Sequence, residues 1–310
     1  LAEWLYEDGI GEARAALVDD GTIVEALIEL PGTPRLGTVA RGRRTGAATA
    51  RLDDGTEVEL VRAPRTLAEG AATSLRIVRE AIPEPGRLKP ARAEPTDDAP
   101  AALPPLPDRL AATGHAVRRL HPHDADSLEI AGWSELLAEA ETGDIGFTGG
   151  ALRMSPTPAM TLFDVDGRPP LDALSILAAR QIAAAIRRHG IGGSIGIDFP
   201  TLVGKAPRLA IAEALDAALP QPFERTAVNG FGFLQIVRPR PRASLPELIR
   251  ADPAAAAARA ALRRIERTPP GAPTDHVLSP AVVRQLDSRP DWTAELVRRT
   301  GVTHRWTSRP

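Results

Sequence analysis

The chain has 310 residues, a formal net charge of −2 and no cysteine. That length allows two or three domains and a sizeable core. The absence of cysteine excludes disulfide scaffolds, thiol catalysis, Fe–S clusters and Cys-ligated zinc. No run of about 18 apolar residues is present, so no membrane-spanning helix is expected. No basic-then-apolar signal opens the chain, which makes the cytoplasm the expected compartment. Of 38 basic residues only Lys89 and Lys205 are lysine. Arginine is the better fork for phosphate, although a GC-rich genome produces the same bias.

Charge is laid out in blocks. Residues 1–34 hold eight acids against Arg14, whereas 35–51 hold Arg35, Arg41, Arg43, Arg44 and Arg51 with no acid. Residues 121–149 hold seven acids and no Lys or Arg, and residues 231–267 hold eight arginines against Glu247, Asp252 and Glu266. Such blocks build either separate basic stripes or ordinary solvated faces.

Two Asp-Asp-Gly-Thr segments, 19–22 and 53–56, sit between β-rich stretches at 15–18 and 23–30, and at 47–52 and 58–63. An Asp-Gly pair flanked in this way is a hairpin signal. With strands at 36–41 and 75–82, residues 36–82 read as a small antiparallel barrel. Residues 83–107 contain eight prolines and read as a linker or an extended crossing.

From Gly149 the pattern becomes ββαβαββ, an α/β unit. Strands are expected at 152–154 and 160–165, then a helix over 171–189 with Leu171, Leu174, Ala178, Ile182 and Ala185 on one face. Arg187 and Arg188 fall in its last turn and Gly190 at its C-cap. A buried-type strand at 194–199, a helix at 207–219 and strands at 223–227 and 232–237 follow. Helices near 253–267, 279–287 and 291–300 complete the chain.

Asp164 and Asp166, two apart on a strand, project from one face, and Asp198 ends the strand that begins at Ser194. If the two strands are neighbours, three acids converge at their ends. Mg²⁺ takes such oxygens with few protein ligands and several waters. Asp166-Gly167 is also a turn pair, and spacing alone favours turn chemistry for Asp166. Gly190-Ile191-Gly192-Gly193 follows a helix and precedes a strand, the reverse of a phosphate-cradling turn. His121-Pro122-His123-Asp124 reads as a solvated loop rather than a zinc site. Ser155 and Ser194 lack the frame of a hydrolase elbow. Arg238, Arg240 and Arg242 alternate with Pro239 and Pro241, so their guanidiniums either track a phosphate backbone or protect an edge.

These pieces occur in a familiar order. Gly149-Gly150, then Thr161-Leu162-Phe163-Asp164-Val165-Asp166, then residues 192–199 (Gly-Gly-Ser-Ile-Gly-Ile-Asp-Phe) resemble the catalytic half of the ribonuclease E/G family. Phe231-Gly232-Phe233-Leu234 with Arg238-x-Arg240-x-Arg242-x-Ser244-Leu245 is similar to that family's next motif, and residues 11–18 to its first strands. The resemblance covers most of 1–90 and 149–245, with 246–310 resembling the helical tails of short members.

The resemblance implies a mixed α+β and α/β multidomain chain. It would carry a small antiparallel OB-like barrel, an α/β deoxyribonuclease-like catalytic subdomain and a helical C-terminal tail. The implied parts are an N-terminal hairpin at 1–35 packing on the central α/β region and an RNA-binding barrel at 36–95. A proline-rich linker with a short α/β segment at 96–148, the catalytic subdomain at 149–245 and the tail at 246–310 follow. Asp164 and Asp198 fall on the family's two Mg²⁺-binding aspartates, and Asp166 on a position usually held by a water-orienting Asn. The implied reaction is hydrolysis of single-stranded RNA to 5′-phosphate and 3′-hydroxyl ends. Arg238, Arg240, Arg242, Lys205, Arg208, Phe231, Arg41, Arg43 and Arg44 are the candidate RNA contacts.

Departures from the family are informative. After Leu245 comes Pro246-Glu247-Leu248 where the family has a cysteine pair, so no zinc link is expected, and a monomer or a homodimer is compatible with the sequence. The segment before Gly149 is short for a full 5′-end sensor. Thr201 replaces the family's second Asp after Asp-Phe, and Gly230 a basic residue. No Phe, Tyr or Trp lies between Tyr6 and Trp133, although OB-fold readers stack bases on aromatic rings. Two readings therefore stand: a compact endoribonuclease, or a catalytically weak RNA-binding protein of the same descent.

Overall fold

The computed structural model describes residues 1–62, 67–84 and 86–308. In chain order, the first strands are β1 (Glu3–Gly9), β2 (Glu12–Asp19) and β3 (Thr22–Glu29). Next come β4 (Val39–Arg44), β5 (Thr49–Leu52), β6 (Glu57–Leu60), β7 (Ala72–Arg79), β8 (Ile82–Glu84), β9 (Arg87–Lys89) and β10 (Ala91–Thr96). They are followed by α1 (Leu106–Ala111), β11 (Ala116–Arg119), α2 (Ser127–Ile130), α3 (Trp133–Thr142), β12 (Asp144–Phe147), β13 (Gly150–Pro156) and β14 (Thr161–Gly167). Then come α4 (Leu171–Arg188), β15 (Gly193–Asp198), α5 (Lys205–Ala218), β16 (Glu224–Arg225) and β17 (Phe233–Arg238). The last elements are α6 (Leu245–Ala251), α7 (Pro253–Glu266), β18 (Asp275–Leu278), α8 (Pro280–Asp287), α9 (Pro290–Thr300) and β19 (Arg305–Ser308).

Two compact units divide the chain. The first combines Leu1–Pro31, Leu110–Leu137 and Asp252–Pro310. Its sheet has the order β11-β1-β2-β3, with β11 parallel to β1. The β2–β3 hairpin forms where expected, on Asp20 and Gly21, both at positive φ. Leu262, Ile265, Leu286, Trp292 and Leu296 fill the core of α7, α8 and α9. Glu12 on β2 is buried between Arg259 and Arg263 of α7, and Glu7 on β1 takes Arg14 and Arg267. Part of the acidic block and part of the last basic block therefore neutralise each other inside this unit. β18 and β19 pair in parallel, an interaction between distant segments that local pattern does not reveal.

The second unit comprises Gly32–Arg109 and Ala138–Ala251. Its barrel is closed in the order β10-β6-β5-β4-β7. This corrects two expectations. The barrel is not wholly antiparallel, because β10 pairs with β6 in parallel. Of the two readings of residues 83–107, the linker gives way to the extended one over their first part, since β9 and β10 form within them and β8 overlaps their start despite the prolines. Pro83 and Pro95 lie within short β8 and β10, where the lost N–H is tolerated. Ala50, Leu52, Val58, Leu60, Leu75, Ile77, Ala91 and Ala93 pack its interior. Ala63, the expected end of one strand, lies outside the described residues.

The remaining sheet of this unit runs β12-β13-β14-β15-β17-β16, so the expected ββαβαββ order is present with β12 added at one edge. α4 and α5 cover one face: Leu152, Met154, Phe163, Val165, Ile195, Ile197, Leu234 and Ile236 point into a core shared with Ala178, Ile182, Ile211 and Leu215. Strict alternation then sends the intervening residues to the opposite face. That face carries the candidate site. Among the described residues no helix is long and apolar enough to cross a membrane.

Candidate functional site

β14 and β15 are parallel neighbours, and Asp164 is the register partner of Asp198. Both are exposed, while Phe163, Val165, Ile197 and Phe199 beside them are buried. The two carboxylates thus stand side by side on the face away from the helices, about 4.8 Å apart at the backbone. Asp166 does not form a turn with Gly167. Both lie within β14, with Asp166 opposite Ala151, because β13 continues long enough to pair them. Asp166 shares the face of Asp164, one strand period further on.

The expectation of three converging acids is corrected here. Among the described residues no group of three or more His, Cys, Asp or Glu side chains is placed to hold a metal ion. What remains is a pair of carboxylates in an oxygen-only, solvent-facing setting. Such a donor set fits Mg²⁺, which is bound through one or two carboxylates and keeps most of its waters. Zinc sites draw chiefly on His and Cys ligands, with carboxylate in the minority, and so match this donor set less well.

Phe233 of β17 is the register partner of Asp198 on its other side. It lies half-buried over Gly196 with Leu162 and Met160, where any Cβ would meet all three. Phe231, by contrast, is 82% exposed. Asn229 holds it there: its Oδ1 accepts from the amides of Phe231 (2.9 Å) and Phe233 (3.0 Å). Gly232 has φ +95°, and a side chain on it would strike the Phe199 carbonyl. Its own carbonyl accepts from the Phe199 amide, and Thr201 donates to the Phe231 carbonyl. The turn is thereby fastened to the exit of β15, immediately past Asp198. Asn229 was missed in the sequence, although Asn229-Gly230 is a turn pair, and Thr201 was noted there only as a departure from the resembling family, not as a fastener of this turn.

The other predicted contacts are unequal. Arg240 is held by Glu247, which also accepts from the Ser244 amide and hydroxyl (both 2.8 Å). Its side chain covers Gly192 and Gly193. Arg238 and Arg242 are half-buried, Lys205 opens α5 in full solvent and Arg208 is half-buried one turn on. On the barrel, Arg44 donates to the carbonyls of Gly46, Ala47 and Leu67, so it closes a loop rather than facing solvent. Arg43 reaches the Gly70 carbonyl at 3.3 Å, and Arg41 is exposed. His121 and His123 stack in an exposed turn closed by Asp124.

Fold and site together describe an α/β protein with paired acids on an open sheet face, joined in one unit to a five-stranded barrel. No family model matches the chain. Ribonuclease G of Escherichia coli (strain K12) is 32% identical over 114 residues, covering 33% of this chain and 23% of that protein. Ribonuclease G of Shigella flexneri matches to the same extent, and that of Salmonella typhimurium (strain SL1344) is 31% identical over 114 residues. The chain spans about a quarter of the length of these curated relatives. The resemblance to the ribonuclease E/G family is therefore a distant, partial similarity to ribonuclease G.

Proposed function

We propose that the chain is a Mg²⁺-dependent endoribonuclease of the ribonuclease E/G kind, acting on single-stranded RNA. The observation that carries this reading is the register pairing of Asp164 with Asp198 on the exposed sheet face. The barrel reads as OB-like, since its strand order with one parallel closure suits that fold, and the α/β portion reads as deoxyribonuclease-like.

Asp164 and Asp198 would hold the ion. When bound, it would neutralise phosphate charge and activate water. Asp166 accepts a hydrogen bond from the attacking water and aligns it with the phosphorus. The water oxygen bonds to phosphorus, the bond to the 3′ oxygen breaks and a proton passes to that oxygen, leaving 5′-phosphate and 3′-hydroxyl ends. Arg238, Arg242, Lys205 and Arg208 hold neighbouring phosphates, and Phe231 offers a ring to an unstacked base. The barrel adds Arg41 and Arg43 but no aromatic ring, so its share of binding is electrostatic and salt-sensitive.

The test is incubation of an end-labelled single-stranded RNA with Mg²⁺ and then with EDTA. Cleavage is expected only with Mg²⁺, and Asp198→Asn abolishes it with thermal unfolding unchanged. RNA that is retarded but intact under both conditions would support the weak binder instead.

A further inference from the structure

The open sheet face holds more than its acids. In register across five strands, β12 to β17, stand Asp144, Arg153, Asp164, Asp198 and Phe233. Direct cross-strand partners share a face, and the buried residues on either side of each confirm which face this is. A cation flanked by carboxylates, Asp144 on one side and the Asp164–Asp198 pair on the other, and an aromatic ring thus form one row. At the strand spacing, Arg153 stands roughly 7 Å from the midpoint between the two aspartates. A long guanidinium side chain covers that distance.

Arg153 has only a loose partner. It meets Asp144 at 3.0 Å, and the two side chains are 65% and 61% exposed. An exposed pair of this kind is worth about 0–1 kcal/mol, so a phosphate competes for the guanidinium at little cost. A second consideration is electrostatic. Acids lining a site repel an RNA strand, and a cation beside them on the same row offsets that repulsion where the backbone must approach.

We infer that Arg153 binds the RNA phosphate adjacent to the one held at Asp164 and Asp198, exchanging Asp144 for the substrate. RNA then crosses the strands along the row, with a base on the aromatic side at Phe233 and Phe231 and the flanking phosphate on the β13 side. This rests on the proposed ribonuclease reading for the identity of the ligand, and assigns a binding residue that sequence motifs did not supply.

Equilibrium binding of a labelled single-stranded RNA in EDTA tests the contact independently of cleavage. Arg153→Gln is expected to weaken binding about ten- to hundredfold, the range for losing a charge-assisted pair. The slope of log affinity against log salt falls by about 0.7, the value for one phosphate on a single strand. Arg153→Lys restores most of that slope. Replacing single linkages by neutral methylphosphonate finds one position at which wild type and Arg153→Gln bind alike. Unchanged affinity and slope in Arg153→Gln overturn the assignment. Wild-type protein that binds with the expected slope but never cleaves in Mg²⁺ overturns the hydrolytic reading and leaves the phosphate contact standing.

Discussion

Asp166 lies in line with Asp164 on the same strand face, at a position where the resembling family usually carries Asn. In the water-orienting role proposed for it, it needs an oxygen, not a charge. Asp166→Asn is therefore expected to keep cleavage within a few-fold, whereas Asp166→Ala loses about 10²-fold or more, the scale of a positioned proton-handling group. Product formation under single-turnover conditions checks both, and equal losses would make Asp166 a metal ligand. Glu12 tests burial instead of chemistry. It is 4% exposed and holds Arg259 (2.8 Å) and Arg263. Removing one partner of a buried pair strands the others, so Glu12→Gln costs about 3–5 kcal/mol, read from urea unfolding. Neither role was legible from charge counts. The sequence placed Glu12 in an acidic block and Arg259 and Arg263 in a basic one, but only their juxtaposition shows them spent on each other.

Elements decide what a residue faces. Alternation alone put Asp164 and Asp166 on one face, and a strand ending at Asp198 was expected; both hold because hydrophobic alternation specifies β14 and β15 strongly. Their adjacency did not follow from either strand, since a parallel pair is joined through a helix and depends on where that helix packs. The turn over residues 229–232 makes the same point. Its signal was present, yet its purpose comes from the Phe199 carbonyl against Gly232 and from Asn229 pinning two amides. Phe231→Ala should weaken single-stranded RNA binding by about 1–3 kcal/mol, the worth of one stacked base, with unfolding unchanged because the ring is exposed. Competition binding against an oligonucleotide abasic at one site reads the same loss.

At the scale of the molecule, stability is expected to depend on pH through buried His189 and its half-buried partner Glu139 in the second unit. His189, the C-cap of α4, is fully buried with Nε2 3.1 Å from Glu139 Oε2 on α3. Burial pushes the His189 pKa down, and the hydrogen bond to Glu139 offsets only part of that. Burial pushes Glu139 up, but the His189 bond and the Arg188 charge outweigh it and hold it below its ordinary value. The unfolded histidine takes a proton near pH 6.5 while the folded one resists. Stability therefore falls as pH drops below about 6.5, and Glu139 adds a further loss below its unfolded value of 4.5. Thermal unfolding between pH 7 and 5 should show this decline, and His189→Gln should flatten it.

Composition, alternation and turn chemistry determined the ββαβαββ order, the hairpins, the helix expected over 171–189 and the shared strand face of Asp164 and Asp166. These are local quantities: a side chain's face on a strand or helix follows from its period alone. Tertiary structure decided which strands became neighbours, that β10 closes the barrel, and that Arg240 and Arg44 serve the fold while Arg153 joins the row of the aspartates. Those outcomes depend on register between segments far apart in the chain, and one residue of slip would turn every one of those side chains to the other face.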